Sequence, residues 1–284
     1  MPDGCKDNHY YDDGDVALIS QSTVFKVHSV LLRLACNFFK VRLSDDWSSD
    51  SERALDSLKG DVLCKARECK HHIIMHDEDP ADISLLLSVI YPNHNWQLSW
   101  KNIGTLWRLA DKYIAETLLR ELQVFANREF HAAPLTALWL AEKYVNETIY
   151  QKASTYVIND INEYVEKPLF AQLSVETRCK LYMRRLKIWE DLMDININRN
   201  RVCDANCYRV CNEKLRCILN KITGPILLTL QAIELVSTNT YTHTFCTKDI
   251  CNQIVALLNK YGGTKPTIAS LAKQPKFFIQ INSP

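Results

Sequence analysis

The residues of this chain best equipped for chemistry are its thiols. Eleven cysteines stand among 284 residues. Cys203, Cys207 and Cys211 follow one another at i, i+4 and i+8, one face of a helix, with Cys217 further on. His243, Cys246 and Cys251 form a second group about 40 residues later. Zinc takes four nitrogen or sulfur ligands, usually as two close pairs. Cys203 and Cys207 with Cys246 and Cys251 would supply them, although C-x3-C and C-x4-C are looser than the C-x2-C of a zinc knuckle. The plainer reading ranks first: cysteine as a small hydrophobe filling helix faces. Any metal held here would be structural, because no open catalytic ligand set is suggested.

Other candidates are weaker. Cys64, Cys69, His71, His72 and His76 straddle a loop and a strand. Strand alternation puts His72 and His76 on one face and the cysteines out of register, so chance clustering ranks ahead of a site. His28 has no evident nucleophile or carboxylate partner. It is expected at a strand-to-helix junction, bonded to backbone and packed on Phe25. Arg178, Lys180, Arg184, Arg185 and Lys187 crowd one stretch without interleaved aromatics for base stacking, so a solvated helix face is expected there. No catalytic residue is assigned. The chain has no Cys-x-x-Cys, no metalloprotease helix motif and no nucleophile elbow, and a thiol or zinc enzyme ranks last.

Bulk properties narrow the classes. A net charge of +1 gives no overall footprint for nucleic acid or an anionic membrane. Only seven glycines are present, with no GxGxxG or GxxxxGK[ST] phosphate loop. No small-molecule substrate is evident. The apolar runs 226–230 and 232–236 are broken by Thr229, Gln231 and Glu234 and are too short to span a bilayer. The first 15 residues are acidic and polar, unlike a signal peptide. A cytoplasmic or nuclear setting with reduced thiols is therefore expected, not a disulfide framework.

The elements that must carry these residues follow from periodicity. Val16 and Leu18 alternate with Ala17 and Ile19, a turn follows at 20–23, and a second run covers 24–27. After His28 and Ser29, Val30, Leu31 and Leu34 mark a helix. Residues 44–70 are polar, and their head, Asp45 to Ser51, reads as a solvated loop. A strand returns at Ile73, Ile74 and Met75. Pro80 opens a helix bearing Ile83, Leu86, Leu87, Ile90 and Tyr91. Ser99 is the expected N-cap of the next helix, whose buried face is Ile103, Leu106, Trp107, Ala110, Tyr113 and Ile114. Leu118, Leu119, Leu122 and Phe125 continue after a break.

The segment 109–118, LADKYIAETL, recurs as LAEKYVNETI at 140–149, an offset of 31 residues. Each copy reads as a helix, a brief turn near Ala115 or Asn146, and a second helix, as in stacked helical hairpins. From Ser174 a basic amphipathic helix is expected to about Asp194, with Leu181, Leu186, Trp189 and Leu192 as its apolar stripe. Further helices are expected over 203–222, 226–236 and 247–261, the last stopped by Gly262 and Gly263.

An Asp-Val strand, Phe-x-x-His, a Leu-rich helix and a Phe-Phe pair stand here as Asp15, Phe25, His28, Leu31, Phe38 and Phe39. With the strand at 73–77, Tyr91, and the helical hairpin carrying Ala110 and Tyr113, their order resembles the BTB/POZ domain. The whole layout is similar to fungal BTB proteins of unassigned role. The resemblance implies an α+β fold: a BTB/POZ domain at 15–130 after a flexible tail at 1–14, then an all-α extension at 131–263, similar to BACK at its start, and a tail at 264–284. It also implies a non-enzymatic interaction module. Its first expected role is substrate adaptor for a cullin-type ubiquitin ligase; its second is a self-associating scaffold or transcriptional cofactor, with structural zinc in the distal helices. Two features depart from the family. Ser29 replaces a basic residue after the motif His, which weakens a charged pocket on Asp15. The 14 polar residues before Asp15 are too few for a strand-exchanged dimer, which leaves a helix-face dimer open.

Overall fold

The computed structural model describes residues 9–44, 58–92, 94 and 96–193, with backbone alone at 192 and 193. These divide into two compact units, with the boundary between Phe125 and Ala126. The helices expected over 203–222, 226–236 and 247–261, the tail at 264–284 and the polar head at 45–51 lie outside the described residues.

The first unit is built on a three-stranded sheet in the order β2-β1-β3. β1 (Val16–Ser20) pairs antiparallel with β2 (Thr23–Val27) and parallel with β3 (His71–Ile74). The turn between β1 and β2 has two residues, with Gln21 at φ 52°, the left-handed start that matches strand twist in a tight hairpin. All of β1 is buried, because a central strand is covered on both faces. Ala17, Ile19 and Val24 face Ala66 and Cys69, with Leu58, Val62 and Ile74 packed around them.

That cover corrects one reading. The polar stretch 44–70 contains a helix, α3 (Gly60–Arg67), after α1 (Ser29–Ala35) and α2 (Asn37–Arg42). The parallel β1–β3 pair requires a crossover, and these helices belong to it. The segment before β1 is a second correction. Residues 9–14 are part of the domain, not a flexible tail. His9 is fully buried, Tyr10 bridges to Lys26, and the amide of Tyr11 donates to the Lys26 carbonyl at 2.9 Å. Gly14 is required at that approach, since a Cβ there would stand 2.9 Å from Lys26 and Val27 backbone atoms.

α4 (Pro80–Ile90) starts as its sequence demands: Pro80 occupies the first turn and Asp79 accepts from the Ala81 amide at 2.8 Å. α5 (Ile103–Lys112) starts later than expected. Asn102, not Ser99, holds the N-terminus, and its side-chain oxygen accepts from the Ser99 amide at 2.9 Å. The buried face of α5, from Ile103 to Ala110, is the one its periodicity marks, but Ile114, expected on the same face, lies past the helix end in a left-handed turn and is half exposed. α6 (Glu116–Glu129) follows and carries the boundary between the units.

The second unit continues through a 3-10 turn (Phe130–Ala132), α7 (Pro134–Lys143), α8 (Glu147–Asn159), α9 (Ile161–Val165), α10 (Pro168–Ala171) and α11 (Val175–Met193). α11 buries Thr177, Leu181, Arg185 and Ile188 and exposes Leu186, so of the expected stripe Leu181 faces inward and Leu186 does not. Arg185 is not solvated either. Its guanidinium donates to the carbonyls of Ile158 at 2.6 Å and Asn159 at 3.0 Å, capping the C-terminal end of α8.

Candidate protein-docking groove

α1 holds three leucines in seven residues, but the fold fully buries only Leu32. A seven-residue helix can turn one stripe inward; the rest of its apolar surface stays outside. Leu34 is 80% exposed and Val30 59%, and Val41 on α2 is exposed beside them. α1 thus forms one wall of an open groove of about 360 Å³. Leu31, Leu34 and Cys36 line one side; Leu86, Val89 and Ile90 of α4, with Trp96, another; Ala115, Thr117, Leu118 and Glu121 close the end at the start of α6. Glu121 is the one ionisable carboxylate in this lining, at its rim. The chemistry on offer is apolar anchoring. Burial pushes the Cys36 thiol up to about 12, which keeps it protonated and unreactive.

The signature residues sit behind this groove as supports. Asp15 accepts from the Ser29 amide at 2.7 Å and from its hydroxyl at 2.6 Å, so the carboxylate closes the first turn of α1. Burial alone would raise the Asp15 carboxyl; the two Ser29 bonds outweigh it and hold the group below its ordinary value. His28 is held by side chains. Its amide donates to the Tyr91 hydroxyl at 2.9 Å, its Nδ1 lies 3.0 Å from the same oxygen, and its Nε2 lies 3.0 Å from Asp13. The carboxylate neighbour that the sequence did not suggest is therefore present, and the expected bond to backbone is replaced. Tyr11 stacks on Tyr91 with ring centroids 4.6 Å apart and tilts against His28.

A second knot fixes the far end of α1 and α2. Phe39 stacks on Tyr113 at 5.4 Å, and Phe38 meets the same ring edge-on. The amides of Asn37 and Phe38 donate to the carbonyls of Ile114 and Tyr113. Ala110 is fully buried. The Tyr113 hydroxyl reaches Glu78, a fully enclosed carboxylate that accepts from Arg108 at 2.8 Å and Lys112 at 2.6 Å. Glu78 is the residue sequence reading missed; its only signal is that two cations stand four apart on α5.

Cys203, Cys207, Cys246 and Cys251 lie outside the described residues. Among the described residues, no group of three or more His, Cys, Asp or Glu stands ready to hold a metal ion. The cluster near β3 is dispersed: Cys64 is exposed, Cys69 is buried against the sheet, and the ring of His72 bonds to the Ala66 carbonyl at 2.9 Å. Among the described residues no helix is long and apolar enough to cross a membrane.

A small mixed sheet packed with helices carries an apolar helical groove, the geometry of a docking surface. Residues 8–129 match the family model of the BTB/POZ domain, and this part of the chain is a BTB/POZ domain. Such domains are protein–protein interaction modules. Among curated proteins none matches the chain.

Proposed function

We propose that the chain is a non-enzymatic adaptor whose BTB/POZ domain docks a partner helix in the α1–α4–α6 groove, the partner being the cullin scaffold of a ubiquitin ligase. The observation that supports docking is Leu34, 80% exposed at the lip of an otherwise apolar groove. An exposed leucine flanked by a pocket is the usual form of an interface anchor. The helical second unit is then the part left to hold a substrate.

The test is affinity purification of the full-length tagged chain and its Leu34→Glu variant, with bound proteins quantified. Cullin recovered near one to one with the unaltered chain and lost with the variant supports the adaptor. Recovery without cullin removes that role. Because Leu34 is exposed, the substitution should change stability by no more than about 0.5 kcal/mol, so lost binding is not lost folding.

A second reading is self-association as a scaffold or cofactor. Val30, Leu34 and Val41, all exposed on consecutive short helices, favour it. Concentration-dependent assembly of the purified chain, abolished by Leu34→Glu and indifferent to cullin, supports this reading over the first. Its structural zinc on Cys203, Cys207, Cys246 and Cys251 is tested by metal analysis, with stoichiometric zinc expected and loss in Cys203→Ser.

A further inference from the structure

α11 is apolar on two opposite sides. One side, with Leu181 and Ile188 as its apolar members, is buried. On the other, Val175, Cys179, Tyr182, Met183 and Leu186 recur at offsets of 0, 4, 7, 8 and 11, a stripe about 100° wide at 100° per residue. All five are exposed, Val175 at 68% and Met183 at 66%. Among the described residues, Tyr182 has a ring neighbour, Phe170, at 6.2 Å. A helix with apolar faces on both sides belongs between two layers, and the described residues supply one of them.

The chain itself continues beyond α11 with a segment that needs such a face. Residues 226–236, ILLTLQAIELV, hold eight apolar side chains in eleven positions, with Glu234 as the single charge. Plotted as a helix, the apolar positions surround the axis, the pattern of a helix enclosed on more than one side. It is too short to span a bilayer. Its length also fits: eleven helical residues extend roughly 16 Å, and the stripe from Val175 to Leu186 extends about the same at 1.5 Å per residue. The neighbouring candidate 247–261 keeps a polar side and has less need of cover. We infer that residues 226–236 of the same chain pack as a helix across the Val175–Leu186 stripe and close the extension as a two-layered helical body. The inference stands independently of what the BTB/POZ groove binds.

Cys179 in the middle of the stripe gives the readout. The full-length chain is treated with limiting iodoacetamide under native conditions, and each cysteine is followed at the peptide level relative to its own rate in denaturant. Cys64, exposed on α3, is the internal reference. Cys179 should react about tenfold more slowly than Cys64, independent of protein concentration. Leu228→Asp with Ile233→Asp should raise Cys179 to the rate of Cys64 and leave Cys64 unchanged. Equal rates in the unaltered chain overturn the inference. So does protection that disappears on dilution, which assigns the stripe to a second copy, or protection that arises only when a binding partner is added. A second readout covers a double variant that fails to fold. In a mixture of light and heavy isotope-labelled unaltered chains, a lysine cross-linker should join Lys221, five residues before the segment, to Lys180 or Lys187 within one molecule. Links between lysines elsewhere without that one overturn the inference.

Discussion

Ile114 and Val145 share one backbone conformation: φ is 54° at the first and 53° at the second, 31 residues apart. Around each, the same bonds recur. The amide of Ala115 donates to the Ala110 carbonyl at 2.8 Å, and that of Asn146 to the Ala141 carbonyl at 2.8 Å. Two sequence copies thus end a helix with the same left-handed turn, one in each unit. A β-branched residue in this region is strained, and glycine is the residue that adopts it freely.

Val145→Gly should therefore stabilise the second unit. Val145 is 70% exposed, so little burial is lost, and relief of left-handed strain offsets the added freedom of the unfolded chain. The expected gain is about 0.5–1 kcal/mol in denaturant unfolding. Ile114→Gly should gain less, because Ile114 is only 49% exposed and gives up more packing. A loss of stability at Val145 would show that its side chain holds the turn in place.

Glu78 anchors the end of β1 to α5. Its carboxylate takes Arg108 and Lys112, and its carbonyl accepts from the Ser20 hydroxyl at 2.6 Å. Burial would raise this carboxyl, but the bonds from Lys112 and Arg108 outweigh it and hold it below the ordinary glutamate value. A depressed carboxyl stabilises the fold at pH above its unfolded value, near 4.3, and that contribution is lost as pH falls through the folded value. Glu78→Ala should cost about 2–3 kcal/mol, less than a fully buried pair because Arg108 keeps Asp82 at 2.7 Å and some solvent. Glu78→Gln should cost less and flatten stability below pH 5 in chemical-denaturation series.

His9 should give the domain a second, higher acid transition. Its ring is enclosed between the Ser84 carbonyl and Ser88 hydroxyl, both at 3.1 Å, with His94 4.4 Å away ring to ring and Tyr11 and Tyr91 alongside. Burial first, then the neighbouring His94, lowers it to about 4. The unfolded chain takes up this proton near pH 6.5 and the folded chain only near 4, so stability falls as pH drops through that window. The full effect is roughly 3 kcal/mol at most, from 1.36 kcal/mol per pH unit. His9→Asn should lower stability at pH 7 but remove most of the slope between pH 6.5 and 4. An unchanged slope would show that burial of His9 is not the source of the transition.

α4 and the face of α5 are legible in the sequence because Ile83, Leu106 and Trp107 repeat with the helical period and are buried on it, whereas β1 and β2 are legible as short apolar runs flanking a turn, both faces of β1 being buried. α3 was missed although Leu58, Val62 and Ala66 stand four apart, because the polar residues around them dominate the window. Residues 9–14 read as a tail because His9 and Tyr11 have no periodicity; their burial comes from contacts with His94, Ser84 and Ser88, about 80 residues away. The Asp15–Ser29 closure is half visible: the sequence marks the pair, but as a weakened pocket rather than a helix cap. On α11 a charged residue inside the buried face turns the apparent stripe, since Arg185 is buried and Leu186 is exposed.

Arg185 is the sharpest test of that last point. Its guanidinium serves two end carbonyls of α8, and its charge opposes the negative end of that helix. Burial lowers its proton affinity, yet arginine stays charged throughout the accessible range. Lysine brings a single ammonium in place of the planar fork and does not bond both carbonyls in the same way. Arg185→Lys should therefore cost about 1 kcal/mol and Arg185→Ala about 2–3 kcal/mol, because the alanine variant also leaves buried carbonyls unsatisfied. A solvated surface arginine would lose no more than about 0.5 kcal/mol in either case. Hydrogen exchange separates the two outcomes further: with the cap removed, amides in the last turn of α8, up to Asn159, should open first while the first unit keeps its protection.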